Sequence, residues 1–245
     1  MTGNPALTQN TFTEVSAATR AEGMTVPGTV QKTGILLALT LLSASYTWNL
    51  YFTSPTSSMS GWAMGGAFGG FVIAMVTIFR KTWAPFTAPL YALCEGLFIG
   101  AVSAITQAAY GVSVIQAVLL TFGTLAALLG AYQTGIIRAS EPFKRGVIAA
   151  TGGIAIAYLI SMVLGLFHIQ VPFMAGSGMF SIGFSVVVVI VAALNLVIDF
   201  DFIEQGAKAG APKYMEWYAA FSLLVTLVWL YLEILRLLAK LRSRD

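Results

Sequence analysis

Seven long apolar runs dominate the sequence, at roughly 33–53, 61–79, 86–109, 112–137, 146–167, 178–199 and 216–240. A helix needs about 20 mostly apolar residues to cross the hydrocarbon core of a bilayer, and each run comes close to that length or exceeds it. No water inside a bilayer satisfies backbone N–H and C=O groups, so only helices and closed barrels span it. Barrel strands alternate apolar and polar residues, whereas these runs are continuous. The pattern therefore predicts an all-α, multi-pass membrane protein with seven helices in one bundle. The connections are too short to hold a soluble domain. Composition agrees: 58% of residues are hydrophobic and 9% charged, against about 25% charged in ordinary soluble domains.

Outside the membrane domain of 33–240, residues 1–32 are polar and rich in Thr, Ala and Gly, and 241–245 form a basic C-terminal tail. The first segment lacks the apolar centre of a signal peptide and the arginines of a transit peptide, and reads as a disordered tail. Cys94 is the only cysteine and His168 the only histidine. An internal disulfide, a Cys-based metal cluster and a multi-histidine site within one chain are excluded. No resident cofactor is expected. The net charge of +3 resides in loops and tails, and suits an anionic leaflet better than nucleic acid.

Lys and Arg in short loops set orientation. Arg80 and Lys81 follow the second run, Arg138, Lys144 and Arg145 the fourth, and Lys208 and Lys213 the sixth. The loops at 54–60, 110–111 and 168–177 carry none. With Arg20 and Lys32 in the tail, this alternation places the N-terminus in the cytoplasm. The C-terminal Arg236, Lys240, Arg242 and Arg244 go against it, so the seventh run either crosses despite the rule or is re-entrant; its length favours crossing. "GGAFGG" (65–70) and the pair Gly96 and Gly100 are small-xxx-small patterns that allow close helix approach. Pro85 and Pro89 suit the start of the third helix, where a missing N–H costs little.

Ionisable residues within spans face the bundle interior or a water-filled cavity. Glu95, in "YALCEGLFIG", sits mid-run on an apolar face with Thr106. It fits either a protonated carboxyl bonded to a neighbouring helix or a group lining an ion or proton path. In "ALNLVIDFDFIEQG" (193–206), Asn195 and Asp199 share a helix face, while Asp201 points about 160° from Asp199. One aspartate can then line a polar interior while the other meets headgroups or cytoplasm. In the last run, Ser222, Thr226, Trp229, Glu233 and Arg236 or Leu237 repeat at helical spacing as a polar stripe, and Arg236 at i+3 can neutralise Glu233. The sixth and seventh runs form a hairpin, so Asp199 and Glu233 are candidates for a carboxylate pair. Two carboxylates at close range cannot both ionise cheaply, and such a pair can share a proton or, deprotonated, bind Ca²⁺ through oxygen ligands. Simple hairpin register does not bring them level; the sixth helix has to extend, tilt or shift.

The stretches "APLYALCEGLFIGAVS" (88–103), "ALNLVIDFDFIEQG" and "EWYAAFSLLVTLVWLYLEILRLL", in that order, resemble the Bax inhibitor-1 family, in its bacterial YccA- and YetJ-like branch. The resemblance covers nearly the whole chain from about residue 30. It implies seven membrane helices with the last one central, in a bacterial inner membrane, and a pH-sensitive calcium leak controlled by two carboxylates on the sixth and seventh helices. Asp199 matches the first, with Asp201 as the alternative. Glu233 matches the second, where the family commonly has Asp. The loop between these helices looks longer than in compact bacterial members. Glu95 matches the branch's "CEG" motif.

Three function classes follow. The first is a calcium leak gated by Asp199 and Glu233, with transient Ca²⁺ or protons as its partners besides the lipid bilayer. The second is a membrane interaction protein that regulates a membrane protease or a stress-response partner. The third, an enzyme, is not expected: Ser177 and His168 share one short loop without the oriented base a serine nucleophile needs, and Asp199 and Asp201 share one helix.

Overall fold

The computed structural model describes residues 23–54, 59–167, 169, 176 and 178–243. Seven helices follow one another: α1 (Val26–Thr53), α2 (Met59–Phe79), α3 (Ala84–Tyr110), α4 (Val114–Gln133), α5 (Glu141–Leu166), α6 (Met179–Lys208) and α7 (Met215–Arg242). All seven are long and apolar enough to cross a membrane.

Local chemistry sets the boundaries. The first helix begins at Val26 rather than 33, because Thr25 caps it by accepting the Gly28 N–H at 3.0 Å and Pro27 occupies the first turn. The remainder of the expected tail, residues 1–22, lies outside the described residues, as do His168, Ser177, Arg244 and Asp245. Pro85 lies in the first turn of α3 and Pro89 one turn further in. Gly111, with φ 65°, closes α3 by returning its N–H to Gln107 O at 2.8 Å.

The connection between α6 and α7 corrects the expected long loop. Helix α6 runs on to Lys208, so the turn is only Ala209–Tyr214, built around Gly210 at φ 64°. The polar residues after 199 belong to the helix. Met24 N–H donates to Ala211 O at 2.6 Å and Gly23 bridges Pro212, which fastens the entry of α1 to this turn.

Helix α7 is the axis of the bundle. It packs on α1, α3, α4 and α6, and its Leu223, Leu224, Leu227, Leu230 and Leu235 are buried. It is continuous, and its contacts with α6 run from Ser222–Asp199 near the shared turn to Lys240–Ser185 at the far end. The two helices are therefore antiparallel over their full length, which rules out a re-entrant α7. Helix α2 lies outside α3, and α5 packs on α6. Outward-facing Phe68, Phe71, Leu159, Ile160 and Met162 are exposed, as a lipid-facing surface requires.

Both glycine patterns mark close approaches. A Cβ on Gly96 would strike Ser43 Oγ and Thr40 O of α1, and one on Gly100 would strike Ala44 O and Thr47 Oγ1. On α2, a Cβ on Gly66 would lie 2.7 Å from Cys94 O of α3. Helix α3 is thus held between α1 and α2 at near backbone contact.

Candidate functional site

Asp199 projects from α6 toward α7 and is only 9% exposed. Ser222 Oγ donates to its Oδ1 at 2.9 Å. Its other oxygen, Oδ2, is buried and has no hydrogen-bond partner among the described residues. Thr226, one turn along α7, stands beside it. A buried carboxylate oxygen without a donor is costly in a low-dielectric interior. Asp199 thus keeps an oxygen free of standard hydrogen bonds, with the Thr226 hydroxyl as the second polar group within reach.

The two neighbouring candidates on α6 hold α5 instead. Asn195 donates from Nδ2 to Thr151 Oγ1 of α5 and to Val191 O, both at 2.8 Å. Asp201 points away from Asp199, as the helical angle requires, and pairs with Lys144 of α5 at 2.7 Å while accepting from Gln205 at 2.6 Å. Neither shares a hydrogen-bond partner with Asp199.

Glu233 is buried on α7 and fully engaged. Tyr158 of α5 donates to Oε1 at 2.9 Å, and Arg236 Nη1 donates to Oε1 and Oε2 at 2.8 and 2.9 Å. The guanidinium also lies 5.0 Å from the Tyr158 ring centroid. The i+3 neutralisation expected from the sequence is present, and Tyr158 completes it.

These contacts correct the carboxylate pair. Asp199 is fastened at Ser222, and Glu233 lies about three turns further along α7, roughly 16 Å at 1.5 Å per residue. Extension of α6 to Lys208 does not bring the two carboxylates level. Asp199 and Glu233 occupy two depths and share no partner, so the two-residue Ca²⁺ site expected from them is not assembled. Among the described residues no three His, Cys, Asp or Glu side chains meet to hold a metal ion.

Glu95 belongs to a third place. Its Oε2 lies 2.9 Å from where a Cβ on Gly70 of α2 would sit, and Tyr91, one turn earlier on α3, is the polar group beside it. The glycine leaves the space that the carboxyl occupies at the α2–α3 contact.

Two buried charges escaped the sequence analysis. Glu216, 0% exposed, accepts from Thr25 N and Oγ1 at 2.9 and 2.8 Å, from Lys213 at 2.8 Å, and from Lys32. Gly28 leaves room for this carboxylate. Lys240, 8% exposed, donates to Ser185 Oγ at 2.8 Å and Ser181 O at 3.3 Å. Lys213 three residues before Glu216 was the one local signal. The partners of Lys240 are 55 and 59 positions away and leave no mark at helical spacing.

A family model described as Bax inhibitor 1 like matches residues 4–243. No curated protein and no solved structure matches.

Proposed function

The chain belongs to the Bax inhibitor 1 like family of membrane proteins, and from that premise we propose that it is a pH-sensitive leak for cations, calcium above all, in which Asp199 is the ion- and proton-accepting group. The observation that carries this reading is the unpartnered Oδ2 of Asp199, buried between α6 and α7. A carboxylate there attracts a cation when ionised and ceases to when protonated, which links flux to pH without a second acid. Ser222 and Thr226 add hydroxyl oxygens of the hard type that Ca²⁺ accepts.

Glu233 acts at a different depth. It ties α7 to α5 through Tyr158 and is neutralised by Arg236. Its role in this reading is that of a latch: loss of the carboxylate charge releases Arg236 and loosens α5. The two carboxylates thus form a binding station and a restraint in series.

Calcium flux into proteoliposomes, measured across pH, tests this. Asp199→Asn is expected to lower flux about tenfold or more and to flatten its pH dependence, while Glu233→Gln is expected to raise flux and preserve that dependence. Unchanged flux in both variants sinks the reading. A wild-type protein that passes no calcium at any pH transfers weight to the alternative, a membrane interaction protein acting on a protease or stress-response partner.

A further inference from the structure

At the far end of the bundle, remote from Asp199, α3 and α7, with Gly176, line an open cavity of about 560 Å³. Its inner walls are apolar, with Phe98, Val102, Leu232 and Leu235. Its outer part carries Arg236 and Lys240. No acidic residue lines it among the described residues.

The two cations are unequally satisfied. Lys240 is nine-tenths buried, yet its two hydrogen bonds go to a hydroxyl and a backbone carbonyl, and among the described residues no carboxylate pairs with it. A buried ammonium usually has an anionic partner. Glu233, two turns earlier on α7, is already held by Arg236 and Tyr158. Among the described residues the hydrogen bonds of Arg236 leave from Nη1, which keeps Nη2 and Nε as donors in the fork geometry that suits phosphate.

We propose that the far-end cavity is a binding site for an anionic phosphate group, held by Lys240 and Arg236. The apolar walls lead inward from the two cations, and the cavity reaches Tyr110 and Ser243 at the ends of α3 and α7. That is headgroup depth for a helix that spans the bilayer. A phosphate carrying an acyl chain fills both parts, whereas inorganic phosphate fills only the outer one.

The full chain in neutral detergent, titrated with phosphatidylglycerol, phosphatidylcholine or inorganic phosphate and read by native mass spectrometry, tests the site. The expected result is one phosphatidylglycerol bound in preference to phosphatidylcholine, with Lys240→Gln weakening it about fivefold, the effect of one basic residue near a headgroup. Lys208→Gln, at the opposite end and exposed, is expected to leave binding unchanged. Thr106→Asp puts an acid on the cavity wall without touching either cation, and is expected to weaken binding even where the lysine variant does not fold. Displacement of the lipid by millimolar inorganic phosphate assigns the site to the phosphate group alone; retention assigns it to the whole lipid. Equal binding of the two lipids by the wild-type chain, or undiminished phosphatidylglycerol binding by a folded Lys240→Gln or Thr106→Asp variant, overturns the proposal.

Discussion

Single atoms decide how closely these helices approach. Gly96 and Gly34 are both helical glycines, yet a Cβ at Gly96 meets the Thr40 carbonyl and Ser43 of α1, while one at Gly34 meets nothing within 4 Å. A backbone carbonyl cannot move aside as a flexible side chain can. Gly96→Ala is therefore expected to cost about 1–3 kcal/mol through overpacking, and Gly34→Ala to be neutral or to stabilise by up to about 1 kcal/mol through helix propensity. Thermal unfolding in one detergent compares them, and equal shifts would show that the α1–α3 contact is looser than described. Glu95 is explained at the same scale. Its carboxyl is accommodated because Gly70 has no side chain, so the glutamate and the "GGAFGG" stretch are two halves of one contact.

Among the elements, α5 depends most on polar ties. It packs on α6, and its link to α7 runs through Tyr158, with Thr151 and Lys144 binding it to Asn195 and Asp201 of α6. Tyr158→Phe removes a hydroxyl bonded to both Glu233 and Arg236, at a cost of about 1 kcal/mol. Faster amide exchange confined to α5 is the expected readout, and uniform protection across all seven helices would deny Tyr158 this role. Hydropathy made each helix legible because a bilayer forces long apolar runs. It could not show that Thr25 starts α1 early, or that α6 continues through "DFIEQGAK", since polar residues at a helix end look like a loop to any apolar window. Helical angles correctly separated Asp199 from Asp201 and joined Glu233 to Arg236. Hairpin register already set Asp199 and Glu233 at different levels, and the structure keeps them there; the partners of Lys240 depend on how two helices slide past each other. No spacing within one helix records that offset.

For the whole molecule, the antiparallel course of α6 and α7 makes a topological demand. Lys208 and Arg242 stand at opposite ends of the bundle, although both are basic. In a Cys94→Ala background, single cysteines at 208 and 242 are expected to react with a membrane-impermeant thiol reagent from opposite faces of intact vesicles. Labelling of both from the same face would contradict a spanning α7. The positive-inside pattern predicts that position 208 is cytoplasmic. The three polar stations are also spread through the bundle: Glu216 where α1 and α7 enter, Asp199 further in, and Glu233 with Arg236 and Lys240 toward the far end.

The place of α7 in the chain has a consequence for biosynthesis. Helices leave the ribosome in sequence order, so α1 to α6 reach the bilayer before the helix on which α1, α3, α4 and α6 pack exists. Until α7 arrives, Asp199 lacks Ser222, and the inner faces of α1, α3, α4 and α6 have only lipid or one another to cover them. The nascent protein is thus a ring without a hub for as long as the last span takes to be made. A ribosome stalled before residue 215 leaves a product with every preceding span and the α1–α3 and α2–α3 contacts, but without the central helix that joins them to α4 and α6.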